Sequence, residues 1–172
     1  CPNLGRHLLI SSAGAQIVVG QTAGFTCFEL NHGVNSRMLD SVYLNGHRIT
    51  SVHEPCPADV TPAELKQRDW LISAIDEENR QHGVEAIRRS IDLAHALHAP
   101  VVIIHPGRVV MDESLEAILR QLYREGKRHT PEYEQALVTM MQVRAGRAAA
   151  PLQAVRRSVD ELADHASRRG VR

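Results

Sequence analysis

The chain has 172 residues and carries equal numbers of basic and acidic side chains, 20 Lys+Arg against 20 Asp+Glu, so no global field recruits nucleic acid or an anionic membrane. Its length suits one domain over residues 1–172 with a real core. An aromatic content of 3% leaves few rings on which bases stack. A local basic patch stays open, because the segment after Leu119 is rich in arginine. The sequence shows no apolar run long enough to span a bilayer and no signal peptide, and Cys1, Cys27 and Cys56 form no CxxC pair. The expectation is a soluble, cytoplasmic protein without a disulfide framework or a structural zinc knuckle.

In chain order, residues 12–23 read as a short helix weakened by Gly14 and Gly20, followed by a strand over Phe25–Glu29. Asn35 caps a helix through Met38, Leu39 and Val42, and Asn45-Gly46 turns the chain into a strand over Ile49–His53. A proline-containing excursion, 54–68, leads to the best-defined helix. Val84, Ile87, Ile91 and Ala94 form its apolar stripe, Asp76, Glu77 and Glu78 its acidic first turn, and Ala99-Pro100 its end. The run Val101–His105 then fits a strand covered on both faces, as parallel strands are. Glu113–Arg124 reads as a helix, Thr130-Pro131 starts another, and Pro151 breaks the pattern. A last helix carries Leu152, Val155, Val159, Leu162 and Ala166 on one stripe and ends at Gly170. Short strands alternating with helices predict an α/β fold with parallel strands. The start at Cys1 without methionine, and the end at Arg172 where another strand is due, predict a piece of a longer gene product.

The chemistry collects at the strand ends. His53 and His105 each close a strand just before a breaker and Glu29 closes one before Leu30-Asn31-His32-Gly33; alternation puts Ile49, Ser51 and His53 on a shared face, as it does Val101, Ile103 and His105. Converging imidazoles at the C-terminal rim of parallel strands suit zinc, manganese or iron, with Glu29 as a carboxylate in reach and an open position for water or substrate. The competing reading is that strand histidines are hydrogen-bonded structural residues and that Glu29 binds a loop backbone or a lysine. His32, in the Asn31-His32-Gly33 turn, and Arg108, after His105-Pro106-Gly107, are candidate substrate contacts; ordinary turn chemistry and a surface ion pair are their alternatives. Cys56 shows no sign of activation, and His95 and His98 serve a helix end or solvent. There is no Gly-rich phosphate loop, nucleophile elbow or HExxH helix.

The order Phe25-x-x-Phe28-Glu29-Leu30, Ser51-Val52-His53-Glu54-Pro55 and Val101-Val102-Ile103-Ile104-His105-Pro106-Gly107 resembles the xylose isomerase-like barrel superfamily, from about Gly5 onward. That superfamily holds sugar and sugar phosphate isomerases and epimerases together with the endonuclease IV (AP endonuclease family 2) enzymes. The resemblance implies a partial (β/α)8 TIM barrel, about half a barrel, with His53 ending the third strand and His105 the fourth. In the endonuclease branch such histidines are metal ligands; in the isomerase branch first-half positions line the sugar site. The resemblance therefore implies Glu29, His53 and His105 as catalytic-rim residues, and a divalent metal, zinc or manganese, on His53 and His105 that residues beyond Arg172 complete. The expected function is a metal-dependent sugar or sugar phosphate isomerase or epimerase, inactive as the isolated chain. Its alternatives are an endonuclease IV-like phosphodiesterase on abasic DNA, disfavoured by the charge balance, and a non-catalytic half barrel that self-associates through open sheet edges.

Overall fold

A computed structural model describes residues 7–10, 24–44 and 48–172. The helix expected over 12–23 and the turn at Asn45-Gly46 lie outside them. Strands β1 (His7–Ile10), β2 (Cys27–Leu30), β3 (Ile49–His53) and β4 (Val102–Ile103) form a parallel sheet in the order β1-β2-β3-β4. Helix α1 (Ser36–Leu44) joins β2 to β3, and α2 (Pro62–Gln67) and α3 (Glu77–Ala96) lie between β3 and β4. Beyond β4 come α4 (Glu113–Arg124), α5 (Pro131–Arg147) and α6 (Ala149–Arg169). The protein is thus an α/β fold built on parallel strands.

The register decides which side chains meet. Leu30 lies across from Val52 and Val52 across from Val102, while Glu29 lies across from Ser51 and His53 across from Ile103. Alternation then gives one apolar row and one row that carries the polar groups. An irregularity between Phe28 and Glu29 pairs Phe28 with Ile49 but Glu29 with Ser51, leaving Thr50 as the extra residue. Ile49 thereby joins the core cluster with Phe28 and does not share the row of Ser51 and His53, contrary to simple alternation.

Helix α3 closes the apolar row. Val84, Ile87, Ile91 and Ala94, all buried, join Phe28, Leu30 and Val52 in one cluster, so the stripe read from the sequence is the face that packs. The Asp76 carboxylate accepts the Asn79 N–H at 2.9 Å, and Glu77 and Glu78 follow in the first turn. At the other end His98 takes a left-handed conformation (φ 54°), and the Ala99 N–H reaches back to the Ala94 carbonyl at 2.8 Å, which turns the chain into Pro100. His95 is no idle solvent group, since its Nδ1 lies 2.8 Å from the Arg169 carbonyl at the end of α6.

The last strand is shorter than expected and is not covered on both faces. Val101 is 37% exposed, and Val102 and Ile103 are half-buried. The β3 ladder reaches it through Val52 N–H to Val101 O and Glu54 N–H to Ile103 O, both 3.0 Å. On its outer side the Arg172 N–H donates to Pro100 O at 2.9 Å and Val102 N–H to Arg172 O at 2.8 Å, the pattern of a parallel neighbour.

The break expected at Pro151 falls at Ala148, between α5 and α6, and Pro151 sits in the first turn of α6, where no intrahelical donor is lost. The buried face of α6 differs from the sequence reading. The buried stripe runs through Pro151, Ala154, Ser158 and Leu162, while Leu152 and Val159 are 51% and 39% exposed. The reason is polar. Arg80 of α3, itself only 2% exposed, points into the α3–α6 seam and donates to Ser158 Oγ at 2.9 Å and to Glu161 Oε1 at 2.8 Å, with Glu77 completing its partners. A buried guanidinium demands acceptors, and turning Ser158 inward supplies one at the cost of exposing Val159. Arg80→Ala is expected to destabilise the fold by about 3 kcal/mol, because it leaves Ser158 and Glu161 without their donor; urea unfolding checks this.

Candidate functional site

Three residues marked by the sequence meet at the C-terminal ends of β2, β3 and β4. Ser51 Oγ donates to Glu29 Oε2 at 2.5 Å, Glu29 Oε1 lies 3.2 Å from His53 Nδ1, and His53 Nε2 lies 2.7 Å from His105 Nε2. The two imidazole rings are 4.8 Å apart and tilted by 35°. With Glu29 ionised, the proton of His53 sits on Nδ1 and its Nε2 presents a lone pair, to which His105 Nε2–H donates. Glu29 and His53 are shielded, with side chains 20% and 25% exposed, while His105 is exposed at the mouth. The result is a hydrogen-bonded relay, Ser51–Glu29–His53–His105, running from the sheet out to solvent.

Glu54 is the residue that sequence reasoning missed. Main-chain pairing of β3 and β4 ends at Glu54 N–H to Ile103 O, and the next donor, His105 N–H, goes to Glu54 Oε1 at 2.9 Å. A side-chain carboxylate thus takes over where the ladder stops and fixes the backbone of His105. Burial holds the Glu54 carboxyl above its ordinary range, opposed by that hydrogen bond and by the neighbouring imidazoles of His105 and His53. The available signal was an acidic residue between a strand-end histidine and a proline, beside a strand too short to hold its own end.

The other candidates stand apart from the relay. His32 is exposed on its turn, where the Asn31 side chain accepts the Gly33 N–H at 2.9 Å. The Arg108 guanidinium is engaged by Asp69 at 3.0 Å, in the surface ion pair that was its alternative reading. Cys56 is buried, its N–H donates to Ser90 Oγ at 2.9 Å, and desolvation pushes its thiol up to about 12.

The turn carrying His105 is pinned by the loop before α3. Gly107 has φ +97°, and a Cβ there would lie 1.9 Å from Ser73 Oγ, which accepts the Arg108 N–H at 3.0 Å. That loop is pressed on α3 in turn: a Cβ on Gly83 would meet Leu71 C at 2.9 Å, and Trp70 stacks on His82 at 4.5 Å under the Arg68 guanidinium.

As donors for a cation, the residues fit in kind and fall short in number. Among the described residues no group of three His, Cys, Asp or Glu side chains is placed to hold a metal ion. Glu29 does not act as a third donor beside the histidines; it stands behind His53, on Nδ1, where a carboxylate fixes the tautomer that leaves Nε2 free. Two Nε2 atoms on a tetrahedral ion would sit about 3.3 Å apart, farther than the 2.7 Å of this hydrogen bond.

No family model matches the chain, and no curated protein matches it. Among the described residues no helix is long and apolar enough to cross a membrane. Fold and site together define a parallel α/β protein with a carboxylate–imidazole–imidazole relay at its strand ends.

Two outcomes follow. Gly107→Ala, strained in backbone and blocked by Ser73, is expected to cost roughly 2 kcal/mol and to separate the His53 and His105 rings, seen as loss of their NMR cross-peak. Cys56 is expected to resist a thiol reagent at pH 8 until the protein unfolds. Its folded value of about 12 exceeds the ordinary 9.0, so its contribution to stability is intact below pH 9 and declines from there toward pH 12.

Proposed function

We propose that this rim is the first half of a divalent-metal site in a xylose isomerase-like barrel enzyme acting on a small polar sugar or sugar phosphate. The observation that carries the reading is the Glu29–His53–His105 relay, in which a carboxylate presets one imidazole to offer Nε2 toward a second at the same sheet edge. The strand order supports it. Four parallel strands follow one another in sequence without the reversal of a doubly wound sheet, as in the winding of a barrel. The balanced charge favours a small substrate over duplex DNA.

His53 and His105 hold zinc or manganese, and the remaining donors come from strands added on the outer side of β4, where Arg172 already pairs, whether from this polypeptide or from a second copy. A bound divalent cation supplies Lewis-acid polarisation of a substrate oxygen. The chain's own residues do the rest. Glu29, steadied by Ser51, keeps the proton on Nδ1 of His53, and Glu54 keeps His105 facing it. His105, exposed at the mouth, would exchange its Nε2 proton with solvent for one on Nδ1 when Nε2 takes another partner, so that the ring stays neutral.

Zinc titration of the chain by calorimetry is expected to show one site. Glu29→Gln is expected to weaken it about 10–100-fold, the usual effect of losing a carboxylate behind a ligating histidine. His53→Ala and His105→Ala abolish it. Equal zinc affinity in all three variants would sink the metal reading. Cleavage of abasic DNA by the metal-loaded assembly, without aldose–ketose interconversion, would replace the sugar with a phosphodiester.

A further inference from the structure

The α4–α5 hairpin does not close its own seam. Helix α5 has no buried residue, and α4 buries only Leu119. Between them lies a cleft of about 580 Å³, within the range of small-molecule sites. Its floor is Met111, Leu115, Leu119 and Met140.

The rim carries the chemistry. Arg120, Arg124 and Arg144 line the cleft together with Asp112 and Glu116, so three positive groups stand against two negative ones and the lining carries one net positive charge. Both carboxylates are occupied: Asp112 accepts the Ser114 N–H at 2.9 Å as the cap of α4, and Glu116 accepts two bonds from Arg120. Arg124 spends only Nε, on the Arg120 carbonyl at 3.3 Å. That leaves the terminal nitrogens of Arg124 and the whole Arg144 guanidinium without partners among the described residues. The Tyr123 and Tyr133 phenols on the same wall add two more hydroxyl groups. The rim is thus donor-rich, its acceptors are used, and the floor is apolar. Guanidinium forks of this kind match a planar carboxylate.

We propose that the cleft between α4 and α5 binds a small amphipathic carboxylate, its apolar chain lying on the leucine and methionine floor and its head on Arg124 and Arg144. A single net charge in the lining matches a single charged head. A cleft of this size class accommodates an apolar body of roughly ten carbons. The site is independent of the strand-end relay, since none of its lining residues takes part in it.

Decanoate is the probe, titrated into the full chain by calorimetry, with butyrate and decan-1-ol as comparators that lack the body and the charge. One decanoate is expected per chain. Arg124→Gln and Arg144→Gln, both at exposed positions, should each weaken it roughly tenfold, the usual worth of a charge-assisted hydrogen bond. Met140→Glu, which puts a carboxylate on the floor, should abolish it, with circular dichroism confirming that the helices persist. Butyrate and decan-1-ol should bind at least tenfold more weakly. The proposal is overturned if decanoate does not bind, if the arginine variants bind it as the parent does, or if decan-1-ol binds equally well. It is also overturned if sedimentation shows a dimer that Met140→Glu dissolves, because a second copy then covers the cleft.

Discussion

A sheet whose strands run from two to five residues cannot hold itself together by main-chain hydrogen bonds, and what holds this one is the helix laid against it. The α3 stripe covers Phe28, Leu30 and Val52 from one side, and every other part of the body is referred to that helix. Its Arg80 locks α6, and its Gly83 admits the backbone of the loop that clamps the His105 turn. The relay at the strand ends is accordingly only as well placed as α3 is. This divides the labour in the usual way for α/β folds: apolar contact on one face fixes the frame, and polar groups on the other are free to do chemistry.

The parts of the fold legible in the sequence are those governed by local rules. Period-3.6 patterning and the acidic Asp76-Glu77-Glu78 turn located α3, the Thr130-Pro131 pair located the start of α5, and Gly170 at φ 68° closes α6 as a helix-ending glycine should. The parts that were not legible depend on partners distant in sequence. The α6 stripe turned because Arg80, 78 residues away from Ser158, needed an acceptor. The β2–β3 irregularity moved Ile49 out of the row that alternation gave it, and β4 stops at Ile103, where the Glu54 side chain takes the next main-chain donor.

The site divides along the same line. Glu29, His53 and His105 could be named because each ends a short strand-forming run, the two histidines just before a breaker, and parallel strands bring such ends together. The sequence could not say that the carboxylate would stand behind one imidazole instead of beside both, since that depends on which nitrogen faces which strand. Glu54 was hidden for a similar reason. Its role is to replace a missing main-chain acceptor, and that vacancy exists only once β4 has stopped at Ile103.

The α4–α5 hairpin leaves the body after Val110 and returns at Arg147, and the Arg147 guanidinium donates to the Val110 carbonyl at 3.3 Å. Its two ends therefore meet, and beyond its own seam the hairpin packs chiefly on α6. A segment joined at adjacent ends lengthens the path between β4 and α6 without stretching it. The chain can take up, reshape or shed such a detour with little effect on the sheet, which makes the hairpin the region of this protein freest to diverge in sequence while the frame beneath it stays as it is.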